Sequence, residues 1–255
     1  MNQESVGTLL RGWRQRRRMT QQDLALEADI SPRHLSFMET GRSLPSREML
    51  LHLSEELEIP LRERNALFVA AGFAPIYKER GLGDAALAAA REAIDVVLQA
   101  QKPFPAFALD RHWNIVATNH AMPGLFEGIA PHLRQPLNAL RVSLHPQGLA
   151  PVIANLAEWR AHLLARLRRQ IGLTGDPVLK ALLEEVSAYP AEQQEPPTEN
   201  AVLVPLKIRT SRGVLSFLST TTVFGTPVDV TLAEIAIEMF FAADAATAAA
   251  MRQEL

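Results

Sequence analysis

Apolar residues recur at helical spacing through the first seventy positions of the chain, interrupted at short intervals by residues that start or stop helices. Val6, Leu9, Leu10 and Trp13 share one helical face ahead of the basic run RQRRRM. Thr20 and Ser31 each precede a short amphipathic segment whose first-turn amides their hydroxyls can bond. Asp23 complements the positive end of the first segment, and Pro32 takes a position where a missing N–H costs nothing. Leu24, Ala25, Ala28 and Ile30 on one segment and Leu35 and Met38 on the other suit two crossing helices, and Gly41 supplies a left-handed stop. Ser46 starts a helix carrying Met49, Leu50, Leu53 and Leu57; Pro60 starts another carrying Leu61, Leu67, Phe68 and Ala71, which Gly72 ends. The pattern predicts a five-helix bundle over residues 1–72 with a helix-turn-helix at 20–41. The second helix of such a unit fits the DNA major groove.

The pattern changes after the linker-like FAPIYKERGLG at 73–83. Asp84 opens a helix to about Ala100 with Leu87, Ala90, Ile94, Val97 and Leu98 as its apolar positions, so 73–100 reads as linker and connecting helix, or a dimer contact. Two strands, PAFALD and NIVATN, follow around the turn Arg111-His112-Trp113. Residues 121–190 read as mostly helical, with a long helix from Pro151 to about Ile171 burying Val152, Leu156, Trp159, Leu163 and Leu167. The polar loop PAEQQEPPTEN leads to a hairpin, AVLVPLKIRT and GVLSFLSTTTVF, around Ser211-Arg212-Gly213. A last helix is predicted from a capping box of Thr231 and Glu234, with Leu232, Ile235, Ala236, Met239 and Phe240 in one stripe. The fold class is therefore α+β: a helical bundle, then a domain over 101–255 whose order of strands, helices and late hairpin is that of a PAS-type sensor. Both hairpin strands are apolar on both faces, so either helices cover both sides or one side lines a cavity.

Composition narrows the function. The 255 residues are 47% hydrophobic and 21% charged, with no cysteine, which removes disulfides, thiolate metal sites and cysteine nucleophiles and fits a reducing compartment. The first residues lack the pattern of a secretory signal, and no apolar run approaches the roughly 18 residues of a membrane span, so a cytoplasmic protein is expected. The net charge of −2 conceals an asymmetry: residues 1–47 carry eight arginines against five carboxylates, leaving −5 for the rest. The basic end is the end with the motif. A balance of +3 gives modest phosphate affinity per subunit, which points to a homodimer on double-stranded DNA and to salt-sensitive binding. Seven histidines occur without H-E-x-x-H, and neither G-x-S-x-G nor a phosphate-binding glycine loop is found, so neither an enzyme nor a cofactor or metal is expected.

Residues 6–72 resemble the XRE family, the lambda-repressor-like helix-turn-helix. The strings DRHWNIVATN, NLAEWRAHLLARLRR, LSFLSTTTVFGTPVDVTLAE and FFAADAAT resemble the ligand-binding domain of MmyB-type transcription regulators. The first resemblance implies that Gln21 meets a phosphate and that Pro32, Arg33 and Phe37 read bases, flanked by Ser31, His34 and Ser36. Arg33 can pair bidentately with guanine and Phe37 can pack on a thymine methyl, whereas Pro32 replaces a common glutamine and donates nothing. The alternative for Phe37 is core packing, and for Arg33 a solvated arginine. Arg14 is expected to pair with Glu39, and Arg16, Arg17, Arg18, Arg42 and Arg47 are candidates for phosphate. The second resemblance implies a PAS-like domain with an apolar pocket able to hold a fatty acid, and the candidate ligand-binding set is Phe107, Leu109, Trp113, Asn119, Trp159, Leu163 and Phe217. Arg160 or Arg141 is a candidate for the cation at its mouth. Asn155, Glu158, His162, Arg166 and Arg169 recur along the long helix as a solvated stripe. The chain therefore reads as a DNA-binding transcription regulator that senses a small apolar ligand. The alternative is a second domain with a filled core that serves only dimerisation or a partner protein.

Overall fold

The computed structural model describes residues 4–119, 121, 128–190, 203–211 and 213–252. The chain forms two compact units, one of Met1–Gly81 with Thr226–Ala233 and one of Leu82–Gly225 with Glu234–Leu255.

In the first unit five helices follow one another: α1 (Val6–Arg16), α2 (Gln21–Glu27), α3 (Pro32–Glu39), α4 (Arg47–Glu56) and α5 (Leu61–Ala70). Their starts are set by side chains that satisfy otherwise unpaired first-turn amides. Thr20 and Asp23 form a reciprocal capping box on α2, Ser31 accepts from the His34 amide on α3, and Ser46 accepts from Met49 on α4. Val6, Leu10, Trp13, Leu24, Leu35, Met38, Leu50, Leu53, Leu67 and Phe68 form a single buried core. Gly7 lets α1 approach the end of α3, since a Cβ there would collide with the carbonyl oxygens of Met38 and Glu39.

The second unit opens with α6 (Ala88–Ala100), entered through a tight turn that Asp84 caps, and continues with β1 (Ala106–Leu109) and β2 (Ile115–Thr118). The helices α7 (Ala139–Leu144), α8 (Leu156–Thr174) and α9 (Pro177–Ser187) follow, then β3 (Leu206–Thr210) and β4 (Gly213–Val223). Between β4 and β5 (Ala236–Ala242) the chain leaves this unit and returns to the first as Thr226–Ala233, which contains the single turn α10 (Val230–Ala233). There Asp229 pairs with Arg80, the Val230 amide donates to the Lys78 carbonyl, and the Thr231 hydroxyl donates to the Arg80 carbonyl. The chain ends in α11 (Ala245–Arg252). The five strands form one antiparallel sheet in the order β2-β1-β5-β4-β3, a PAS-like arrangement.

Alternation along the central strands gives the sheet two different faces. Ala106, Ala108 and Ile237 pack with Ile94 and Leu98 of α6 on one face. Phe107, Leu109, Phe217 and Phe240 join Trp159, Leu163, Leu167, Leu179 and Leu182 of α8 and α9 on the other.

Three expectations need correction. The last predicted helix is the strand β5: residues 236–242 lie between β1 and β4, with Ile237, Glu238 and Phe240 buried, and an apolar run of that kind fits a helical stripe as well as a central strand. The long helix starts at Leu156 rather than Pro151, because Ile153 bridges to Ile208 and the Ala154 amide donates to the Lys207 carbonyl, tying the preceding turn to β3. Val152 is accordingly exposed. The first hairpin strand starts at Leu206, after Pro205, and Leu203 is exposed; Ala201, Val202, the loop at 191–200 and Arg212 lie outside the described residues.

Candidate DNA-reading face and ligand cavity

The capped start of α3 fixes which side chains point away from the helical core. Leu35 and Met38 are buried, whereas Ser31, Pro32, Arg33 and His34 are exposed and Ser36 and Phe37 are half-buried. The guanidinium carbon of Arg33 lies 5.3 Å from the centre of the Phe37 ring and that of Arg42 lies 5.7 Å from it, so one aromatic ring gathers two cations. Phe37 is absent from the core cluster, which removes the core-packing alternative. The Ser31 hydroxyl is engaged as the helix cap, accepting from the His34 amide at the exposed start of α3.

Behind this face lies a buried ion pair. Arg14 donates from Nε to Glu39 Oε1 at 2.6 Å and from Nη2 to Oε2 at 2.8 Å. Gln21 Nε2 donates to the same Oε2 at 2.8 Å, which holds the first residue of α2 against the last residue of α3. Burial works against the Glu39 charge, but the hydrogen bonds from Arg14 and Gln21 outweigh it and keep the carboxyl below its ordinary range. The basic run divides by role. Arg17 donates to the carbonyls of Leu57 and Glu58 and so closes the end of α4, a structural task its place in a basic string did not reveal. Arg16 covers the Trp13 ring, and Arg16, Arg18, Arg42 and Arg47 are exposed.

In the second unit, the sheet face opposite α6 and the helices α7 and α8 border a partly open apolar cavity of about 60 Å³. Phe107, Leu109, Trp113, Trp159, Leu163 and Phe217 all line it. Asn119 does not: its amide donates to the carbonyls of Leu98 and Phe104 and accepts from the Ala106 amide, stapling the end of α6 to β1. The cation at the cavity is neither Arg141, which pairs bidentately with Glu185 at 2.7 Å, nor Arg160, which donates to the carbonyls of Ser187 and Tyr189. It is Arg166. Its guanidinium pairs with Glu238 of β5 at 2.8 and 2.9 Å, and its carbon lies 5.0 Å from the Trp113 ring centre.

The stripe on α8 is therefore not simply a solvated face. Asn155 bonds to Glu158 and to the backbone of Pro205 and Lys207, His162 stacks on Trp159, Arg166 reaches the sheet, and Arg169 is exposed. Glu238 and Phe240 were missed by sequence reasoning because a helix was read where β5 runs; alternation of Ile237 and Met239 with Glu238 and Phe240 was the available signal. Arg111 and His112 converge on Asp176 at 3.3 and 3.1 Å, while Asp110 bonds the amides of His112 and Asn114. These bonds join the β1–β2 turn to the start of α9, where Asp176 also caps the Val178 amide.

Among the described residues no helix is long and apolar enough to cross a membrane. The family model for the MmyB-like transcription regulator ligand binding domain matches residues 90–253, and a helix-turn-helix model matches residues 10–64. Over 61 residues the chain is 33% identical to multiprotein-bridging factor 1 of Candida albicans, a match covering 24% of this chain and 40% of that protein. The chain thus spans less than half the length of this curated relative. With an XRE-type helix-turn-helix in one unit and a PAS-like sheet beside an apolar cavity in the other, the chain belongs to the MmyB-like transcription regulator family through its ligand-binding domain.

Proposed function

We propose that the protein binds a specific operator as a homodimer in the cytoplasm and that occupancy of the cavity changes its affinity for that operator. The base-reading role falls to Arg33, with Phe37 against a thymine methyl, His34 and Ser36 beside them, Ser31 and Pro32 packed at the groove edge, and Arg42 on phosphate. Gln21, already bonded to Glu39, presents its remaining polar atoms to the backbone of the duplex.

The observation that carries the ligand-responsive reading is topological. Phe217 of β4 and Glu238 and Phe240 of β5 line the cavity, and the chain that connects these two strands is built into the DNA-binding unit through Arg80–Asp229 and Thr231. At about 60 Å³ the cavity is smaller than the roughly 150 Å³ that takes a benzene molecule in an engineered apolar site, so an occupant of that size or more displaces its walls. A displaced wall strand moves the end of the connecting segment, and a ligand that binds the displaced arrangement better shifts the population toward it. A fatty acid is the ligand that the family resemblance implies, and its chain suits walls of Phe, Leu, Ile and Trp.

The test is a duplex selected from a random pool, titrated with wild-type protein and Arg33→Ala. The variant is expected to lose about tenfold or more in affinity and its preference at one base pair, as for the loss of a bidentate contact of about 1–3 kcal/mol. Unchanged affinity and preference would refute the contact assignment.

A further inference from the structure

The polar groups that line the cavity have spare donors and few spare acceptors. Among its described lining residues Arg166 is the only cation, Glu238 the only anion and Ser143 the only hydroxyl. The guanidinium sits among residues of the wall: it bonds Glu238 at 2.8 and 2.9 Å, and its carbon lies 5.0 Å from the centre of the Trp113 ring. The Arg166 side chain is 28% exposed and that of Glu238 4%. Nη1 and Nη2 donate to Glu238, and Nη2 donates also to the Thr221 hydroxyl, which leaves the Nε–H and the second Nη1 N–H without an acceptor among the described residues. Ser143, half-buried on α7, has a hydroxyl with no hydrogen-bond partner among the described residues. The two indoles of the wall add nothing, since Trp113 donates to Gln170 and the Trp159 N–H is closed off from water.

Glu238 has little left to accept with. Its Oε1 takes one bond from Arg166, and its Oε2 takes one from Arg166 and one from the Thr221 hydroxyl. Unspent donors beside a filled acceptor favour an acceptor-rich group, and the carboxylate end of an apolar chain is the one that matches a guanidinium best. Such a group brings a second anion to the one cation. Two carboxylates placed together away from water do not both stay ionised, and the pair holds a proton between them. With that proton the site stays neutral, as the Arg166–Glu238 pair is alone. The uncharged Ser143 hydroxyl adds a donor without altering this balance. Around Glu238, β1 presents Phe107, β4 presents Thr221, and α8 presents Arg166 and His162. Burial and then the nearby Arg166 lower the His162 pKa, so this ring is uncharged above neutrality.

We propose that the carboxylate of an amphiphilic ligand binds at Arg166 beside Glu238 and takes up one proton from solvent, held as an O–H bond between the two carboxyl groups. This inference rests on the reading of the cavity as a ligand site. To a fatty-acid ligand it adds the residue that holds the head group and the proton that accompanies it. Acid binding is thereby coupled to pH: each anion drawn in takes a proton with it, so affinity falls by up to about tenfold for each unit that the pH rises.

Calorimetric titration of the full-length protein with octanoate and 1-octanol at about pH 7 and about pH 8.5 tests it, since octanoate free in solution is ionised at both. Octanoate is expected to bind about tenfold or more tighter at the lower pH, and 1-octanol equally at both. Repeating the lower-pH titration in phosphate and in Tris, buffers whose heats of ionisation differ, should show close to one proton taken up per octanoate and none per octanol, a readout that needs no variant. Glu238→Gln leaves Arg166 with no competing anion. That variant is expected to bind octanoate at the higher pH about tenfold or more tighter than wild type, with no pH dependence. Octanoate binding without proton uptake, a pH dependence that survives Glu238→Gln, or octanol binding without octanoate binding overturns the shared-proton inference and leaves the cavity as a ligand site. Failure of both probes to bind overturns the inference and the ligand-site reading together.

Discussion

Arg14 and Glu39 are both nearly excluded from water, so the bidentate bonds between them matter more than those of a surface pair. Removing one partner leaves an uncompensated charge in the core, and Arg14→Ala should cost about 3–5 kcal/mol in stability of the helical unit. Hydrogen exchange of the buried α4 amides at Leu50 and Leu53 would read that loss. Arg33→Ala touches no buried group and should leave the same amides unchanged while DNA affinity falls. The acid response has a definite sign. Because the folded Glu39 carboxyl sits below its ordinary value of 4.5, the pair contributes its full stabilisation above that value and loses it as pH falls through the lowered one. Exchange protection in α4 should therefore drop as the pH is taken from about 5 to about 3. This pair was legible through the resemblance to the XRE family, in which an arginine at the spacing of Arg14 from Thr20 pairs with a glutamate near the end of the second helix. Arg166 and Glu238 were not, since they lie 72 positions apart and meet only once β5 pairs with β1 and β4.

The capped helices show why local chemistry carried so far. Thr20, Ser31 and Ser46 each satisfy an amide three residues on, an interaction encoded within one turn of chain and independent of the rest of the fold. Strand β5 shows the opposite case. Its sequence, AIEMFFA, meets both a helical and an extended template, and long-range pairing on both edges decides between them. The apolar hairpin strands pointed to two explanations, and the cavity explanation holds in part: Leu206, Ile208 and Phe217 line it, whereas Val214 and Val223 are exposed and α6 packs on β1 and β5 instead. A packing prediction follows for the first unit. Gly7→Ala places a methyl against the Met38 and Glu39 carbonyls, so α1 must withdraw from the end of α3, at a cost of about 1–3 kcal/mol. A thermal melt that matched wild type would show that this approach is looser than the geometry states.

At the scale of the whole molecule, the segment Thr226–Ala233 is the feature that composition and periodicity could not anticipate, because it belongs by sequence to the second half and by packing to the first. Asp229 anchors it, bonding Arg80 and capping the Thr231 amide. Asp229→Ala should leave ligand binding within about twofold but reduce the effect of ligand on DNA affinity, since coupling energies of about 1–3 kcal/mol depend on such linking elements. Titrations of DNA with and without ligand on the variant would measure this, and coupling equal to wild type would remove the segment from the mechanism. The account depends most on the claim that cavity and operator are linked. Its most direct measurement is the affinity of wild-type protein for its selected duplex in the absence and presence of saturating cavity ligand. The account predicts a change of about fivefold or more, within the usual range for linked sites. An affinity that stays the same while the cavity is demonstrably filled would contradict it.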